Sequence, residues 1–158
     1  MRKLFSFPNP VNETAARIVA AGVVLLAFSY LVTLWRPLLF VLVYGFLARV
    51  LTGPSLSPLG QLSTRFIAPH LPTIYCPGPP KRFAQGIGLV FASSGLLLTL
   101  LDYQQASMLV ICLLVIAASL EAFLGLCLGC KAFAVLMKAG LIPEEVCERC
   151  NNLNLPAS

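Results

Sequence analysis

Cysteine supplies the most chemistry-bearing pattern in the chain. Four of the six cysteines form two Cys-x-x-Cys pairs, Cys127/Cys130 and Cys147/Cys150, separated by sixteen residues. At i, i+3 on a helix the two sulfurs of a pair share one face. Such a pair can close a disulfide, and a neighbouring cation lowers a thiol pKa; Lys131 sits beside Cys130 and Arg149 beside Cys150. The spacing Cys-x2-Cys-x16-Cys-x2-Cys also falls within the window of four-thiolate zinc sites. Two chemistries therefore stand open for Cys127, Cys130, Cys147 and Cys150: thiol–disulfide or sulfur-transfer chemistry, and zinc binding. Cys76 is either a fifth thiol acting as a resolving partner or a lone loop cysteine. Cys112, inside an apolar run, reads as a small packing residue.

Glu121 interrupts another apolar run. An intramembrane carboxylate is costly and is by default a functional candidate. It reads either as a proton relay or as an acceptor for another helix, or for Arg17, Arg49 or Arg82. Nine residues separate it from Cys130, which puts the two on opposite sides of an ideal helix. Direct proton transfer between them requires a break near Gly125 or Gly129. Those glycines form a small-x-x-x-small pair, which reads as a close helix contact. His70, flanked by Pro69 and by Leu71-Pro72, reads as a solvated interfacial residue. The chain has no phosphate-binding glycine loop, no Ser/His/Asp set and no dinucleotide fingerprint.

The elements that carry these residues belong in a membrane. Hydrophobic residues make up 58% of the 158 residues and charged residues 11%, and the mean hydropathy is +0.88. A soluble domain has about 25% charged residues, so this chain lacks the polar surface to coat a water-soluble globule. The formal charge of +5 comes from basic residues flanking hydrophobic runs, which the membrane accounts for without a nucleic-acid partner.

Four spans follow. Residues 15–35 end on Trp35 at an interface, with Arg17 near the start placed to snorkel. Asn12 is the expected N-cap, with Glu13 in the first turn. Arg36-Pro37 then breaks the helix, and residues 38–51 form a short second span, read as a crossing with local thinning over the alternative of a re-entrant segment. Seven prolines fall between Pro54 and Pro80, so residues 52–82 form a loop. Within it Leu59, Leu62 and Phe66 recur at helical spacing, the mark of a short amphipathic surface helix. The stretch Tyr75 to Arg82 reads as extended. Residues 83–101 and 106–126 are the third and fourth spans, joined by a tight turn at 102–105.

This arrangement puts ten of the eleven basic residues on one side and leaves Arg36 on the other. Both termini and the 52–82 loop are expected in the cytoplasm. The cysteine-rich tail, 127–158, continues as a helix that stops near Lys138 or Ala139, with Gly140 as its C′ residue. A second short helix is expected from Pro143, carrying Cys147 and Cys150. Reversal between the two helices is expected to bring the four cysteines together at the membrane surface.

Three segments carry a family resemblance: Phe7-Pro8-Asn9-Pro10-Val11-Asn12-Glu13 leading to Ala16-Arg17; Gly78-Pro79-Pro80-Lys81-Arg82-Phe83-Ala84-Gln85; and Glu121 through Cys130. Together they resemble a family of small bacterial membrane proteins described only as a domain of unknown function. The resemblance covers nearly the whole chain and implies a four-helix membrane domain, with no activity attached. In architecture the chain is also similar to the vitamin K epoxide reductase family, which combines four membrane helices with a Cys-x-x-Cys near a helix end and a second cysteine pair in a loop. Here the second pair follows the first, on the side expected to be cytoplasmic.

The sequence thus reads as an all-α integral membrane four-helix bundle in the bacterial cytoplasmic (inner) membrane. Its expected function is thiol–disulfide or sulfur handling at the cytoplasmic face, with a thioredoxin-like or sulfurtransferase protein as partner. The alternative is a non-enzymatic membrane protein with a structural zinc site on the four tail cysteines.

Overall fold

The computed structural model describes residues 10–142. These are mainly helical, with one antiparallel bridge between β1 (Val11–Asn12) and β2 (Tyr75–Cys76). The helices are α1 (Glu13–Thr33), α2 (Pro37–Thr52), α3 (Pro58–Gln61), α4 (Gly78–Leu100), α5 (Gln104–Leu124) and α6 (Leu128–Lys138). A π-helical stretch, Leu62–Ile67, and a 3-10 turn, Ala68–His70, continue α3.

Three helices, α1, α4 and α5, are long and apolar enough to cross a membrane, and α2 is a shorter apolar helix of 16 residues. At 1.5 Å per residue α2 extends about 24 Å, against about 30 Å of bilayer hydrocarbon. α1 packs on α5 and α2, while α4 packs on α2, α5 and α6. The shared core is built from Val23, Ala27, Tyr30, Leu39, Leu42, Phe46, Ala92, Ile111, Leu114 and Ala118. Side chains such as Leu25, Val32, Val90, Leu109 and Phe123 are more than half exposed and turn outward, which suits contact with lipid. Small residues set the close approaches. A Cβ on Gly95 would lie 2.6 Å from Ile111 Cδ1, and one on Gly88 would run into the Phe46 ring.

Local chemistry explains the boundaries. Asn12 caps α1, its Oδ1 accepting from Ala15 N at 3.1 Å. Pro37 occupies the first turn of α2, and Pro79 and Pro80 occupy the first turn of α4. Proline is favoured there because its missing N–H has no helical partner in any case. α4 consequently starts at Gly78 and not at 83, so Lys81 belongs to a helix and not to the loop. The loop is largely ordered into helical turns over 58–70, where Leu62 and Phe66 are 49% and 67% exposed, as expected of a surface helix. At the opposite end Arg36 and Asp102 join the two tight turns by an exposed ion pair of 3.1 Å.

α5 stops at Leu124, two residues earlier than expected. Gly125 adopts φ +68°, a left-handed conformation open to glycine. Arg17 seals this end. Its Nε and Nη2 donate to the carbonyls of Ala122 and Phe123 at 3.3 and 3.0 Å, satisfying groups left open where a helix ends. Arg17 therefore caps a neighbouring helix and does not simply snorkel. α6 then restarts at Leu128 and ends at Lys138, with Gly140 at φ +72° just beyond, as its glycine signal predicts.

Candidate functional site

The break at Gly125 changes the meaning of the Cys127/Cys130 pair. The two cysteines do not sit on one face of a continuous helix. Cys127 is the N-cap of α6, and its sulfur accepts from Cys130 N at 3.4 Å. The Cys130 thiol donates to the same sulfur, and this is the main cause holding the Cys127 thiol below its ordinary pKa. The same hydrogen bond, together with burial and the charge on Cys127, pushes Cys130 up. The shared hydrogen bond thus favours the charged form of Cys127 over that of Cys130. Cys127 is buried, and Cys130 is half-buried.

Glu121 faces a partner the sequence did not suggest. Lys81 Nζ, from the first turn of α4, donates to Glu121 Oε1 at 2.6 Å, and the two side chains are 5% and 16% exposed. Neither Arg17, Arg49 nor Arg82 makes an ion pair with Glu121. The positive charge of Lys81 also acts on Cys127 and Cys130. α6 is drawn onto α4 by Gly129, where a Cβ would stand 2.5 Å from Ala84 Cα. Of the two glycines expected to make a close contact, Gly129 makes it and Gly125 makes the break.

Cys76 joins the group from β2. Its thiol donates to Val11 O at 3.6 Å, and it is close enough for the charges of Lys81, Glu13, Cys127 and Glu121 to act on it. Burial dominates and pushes this thiol up to about 11. The N-terminal entry to α1 and the end of the loop are held together there. Glu13 N donates to Ile74 O at 2.8 Å, and Thr14 Oγ1 donates to Pro72 O at 2.7 Å.

Arg49 lies deeper, 4% exposed. Its Nε donates to Gln85 Oε1 at 2.8 Å and its Nη1 to Ser57 Oγ at 3.3 Å, and its guanidinium lies 4.5 Å from the Phe46 ring centre. It lines three cavities, and two of them reach other residues of the site. One, about 250 Å³, also has Asn12, Ala16, Thr64, Lys81 and Gln85 in its wall. The other, about 400 Å³, has Gln85, Phe91, Leu114, Glu121 and Cys127.

The remaining expected residues are dispersed. Cys112 is exposed on the outer face of α5 and does not pack internally. His70 is exposed at the end of the loop helix. Cys147, Cys150 and the helix expected from Pro143 lie outside the described residues. Among the described residues no three His, Cys, Asp or Glu side chains come together to hold a metal.

Sequence reasoning missed Lys81, treating it as flanking charge, and considered Arg49 only as a possible partner for Glu121. The signal for Lys81 was available in Gly78-Pro79-Pro80, a helix-start pattern that puts residue 81 inside the first turn. Residues 11–138 match the family model described as a domain of unknown function (DUF4395). No curated protein and no solved structure matches the chain.

Proposed function

As the chain belongs to this family of domains of unknown function, we propose from its own side chains that it is a membrane dithiol protein. In this reading Cys127 is the attacking thiol and Cys130 the resolving one. The observation that carries it is the Cys127 sulfur, receiving the Cys130 N–H and thiol beside the buried Lys81–Glu121 pair. A sulfur that accepts two hydrogen bonds near a cation favours the thiolate, which is the nucleophile.

The chemistry is thiol–disulfide exchange with the disulfide of a thioredoxin-like protein. The Cys127 thiolate attacks one partner sulfur. The partner S–S bond breaks, its second sulfur leaves as a thiolate, and a mixed disulfide forms. Cys130 gives its proton to the Glu121 carboxylate and attacks Cys127. The partner's first sulfur leaves, and Cys127–Cys130 is left as the disulfide. Two electrons pass from this dithiol to the partner. The two protons given up by Cys127 and, through Glu121, by Cys130 return to the partner's two thiolates, so that the partner is released as a dithiol. A sulfurtransferase carrying a persulfide is the corresponding partner for sulfur transfer, with Cys127 taking the outer sulfur.

The same proposal places the protein in a bacterial cytoplasmic membrane as a four-helix bundle. α2 crosses with local thinning, and both termini lie on the cytoplasmic side with the dithiol. The distribution of lysine and arginine supports that orientation.

Intact-mass measurement after alkylation tests the reading. The full chain, incubated with an oxidised thioredoxin-like protein and then quenched, should lose two protons and two alkylation sites at Cys127 and Cys130. The loss should reverse with a reduced dithiol. Cys127→Ser should abolish it, while Cys130→Ser should trap the mixed disulfide. Full alkylation of both cysteines under every condition would overturn the proposal. One retained zinc, lost on replacing Cys127, Cys130, Cys147 or Cys150, would put the metal reading in its place.

A further inference from the structure

Two lysine or arginine side chains among the described residues are buried, and they are treated differently. Lys81 has the Glu121 carboxylate at 2.6 Å. Arg49, equally buried, has no carboxylate within ion-pairing distance among the described residues. Its two side-chain partners, Gln85 and Ser57, are neutral. A buried cation is expensive unless it is paired and hydrogen-bonded, and the Phe46 ring offsets only part of that expense. Glu121 is the acid whose charge reaches Arg49, and Lys81 already engages it. Counting only these three side chains, Arg49 and Lys81 against Glu121 leave one positive charge.

That charge borders empty space. Arg49 and Lys81 both line the cavity of about 250 Å³ enclosed by α1, α2, the loop helix and α4. Uncharged polar residues in the wall are Asn12, Ser63, Thr64, Tyr75 and Gln85, and the rest is mainly apolar, with Ala15, Ala16 and Val19 from α1. A guanidinium offers five N–H donors in a planar fork suited to oxyanions. Nε and Nη1 each make one bond inside the protein, which leaves further donors on the guanidinium for a ligand.

We propose that this cavity binds a singly charged oxyanion group, with Arg49 as its principal donor, Lys81 as a second positive charge and the α1 wall holding an apolar portion of the same molecule. The oxyanion comes either from a small soluble molecule or from the phosphate of an anionic lipid headgroup. The site is separate from the sulfur chemistry proposed above and stands or falls without it, because Cys127 and Cys130 do not line this cavity.

The test uses the full chain and thermal unfolding. In neutral detergent, inorganic phosphate is titrated against sodium chloride at matched ionic strength. In nanodiscs, phosphatidylglycerol is compared with phosphatidylcholine. A site that binds should raise the midpoint saturably, by about 3–6 °C at ten times the dissociation constant. A rise with inorganic phosphate identifies a free oxyanion, and a rise confined to phosphatidylglycerol identifies a lipid headgroup. Arg49→Gln should remove the rise. Because that variant also loses the bonds to Ser57 and Gln85 and can fail to fold, Ala16→Leu serves as the second variant. It fills the cavity from α1, keeps Arg49, and should remove the rise as well. No rise in either medium overturns the proposal, and so does a rise that survives in Ala16→Leu.

Discussion

The two ends of the helices solve the same problem in different ways. At the end carrying the tight turns, Tyr30, Thr99, Ser107 and Gln104 form a neutral cluster. The Tyr30 hydroxyl lies 2.7 Å from Thr99 Oγ1 and 3.0 Å from Ser107 Oγ, and it accepts from Gln104 Nε2 at 2.8 Å. Ser107 and Thr99 also donate to Gly95 O at 2.8 and 3.0 Å. Tyr30, Thr99 and Ser107 are completely buried. At the loop end the polar groups are charged or ionisable: Lys81, Glu121, Arg49, Cys127 and Cys130. Cavities of about 250 and 400 Å³ lie among them. None of the neutral cluster lines either cavity. Saturated neutral hydrogen bonds act as glue between membrane helices. Ionisable groups placed beside empty space are the signature of a working site.

The largest expected effect lies in the Lys81–Glu121 pair. Glu121→Leu leaves Lys81 buried with its charge unpaired, and should destabilise the fold by about 3–5 kcal/mol. The double variant Lys81→Met with Glu121→Leu removes both charges and should recover much of that loss. Unfolding in detergent, read as a double-mutant cycle, checks the coupling. An additive cycle would mean the pair is solvated and the contrast between the two ends is overstated.

Thiol reactivity should follow in size. With its thiol pushed up to about 11, Cys76 holds a thiolate fraction on the order of 10⁻⁴ at pH 7. Cys127 is held below the ordinary thiol value and should be deprotonated first. Raising the pH from 6 to 9 should therefore bring Cys127 into reaction early, while Cys76 stays inert until the pH approaches 11. Peptide mapping after timed alkylation measures both rates. Equal rates at pH 7 would remove the electrostatic distinction between these two cysteines.

The difference between the two ends also explains what could be read from sequence. Long apolar runs announce α1, α4 and α5, and Asn12 announces the start of α1, because these signals are local. Gly140 marks the end of α6 for the same reason. The prolines at 79 and 80 mislead, since proline signals both a loop and a helix start, and only the following residues decide between them. The Lys81–Glu121 and Tyr30–Thr99 pairings were illegible. Each joins residues far apart in the chain, and the order in which the helices pack is not written in any one of them. The sequence argument did identify that Glu121 and the thiols could meet only across a break near Gly125 or Gly129. It read Gly125 as a packing contact, because the left-handed backbone at one glycine leaves no pattern in its neighbours.

The neutral end should respond more mildly. Tyr30→Phe removes the hydroxyl that joins Thr99, Ser107 and Gln104, and leaves the ring in place. Thr99 and Ser107 keep their bonds to each other and to Gly95 O, so the loss should be about 1–2 kcal/mol. Alkylation of Cys127 should be unchanged, which separates this end from the other. A loss as large as that of Glu121→Leu would show that the uncharged cluster is the main clamp of the fold.

The smallest effect expected is at Gly125, and it tests what positions the thiols. Gly125 stands at φ +68° between Glu121 and Cys127. An added Cβ would meet Arg17 and Glu13 atoms at 3.6 to 3.7 Å, an ordinary contact, so space is not the obstacle. The penalty comes from the left-handed backbone, about 1 kcal/mol for alanine. Asparagine tolerates that region better and should recover part of it. The expected lowering of the unfolding midpoint for Gly125→Ala is about 2–4 °C. The more telling readout is local. If the left-handed turn is what lets Cys127 leave the helix and receive the Cys130 bonds, alanine should slow Cys127 alkylation at pH 7 several-fold, and asparagine should restore it. A lowered midpoint with unaltered alkylation would assign the positioning of Cys127 to the packing of Gly129 on Ala84, where an added Cβ comes within 2.5 Å of the backbone.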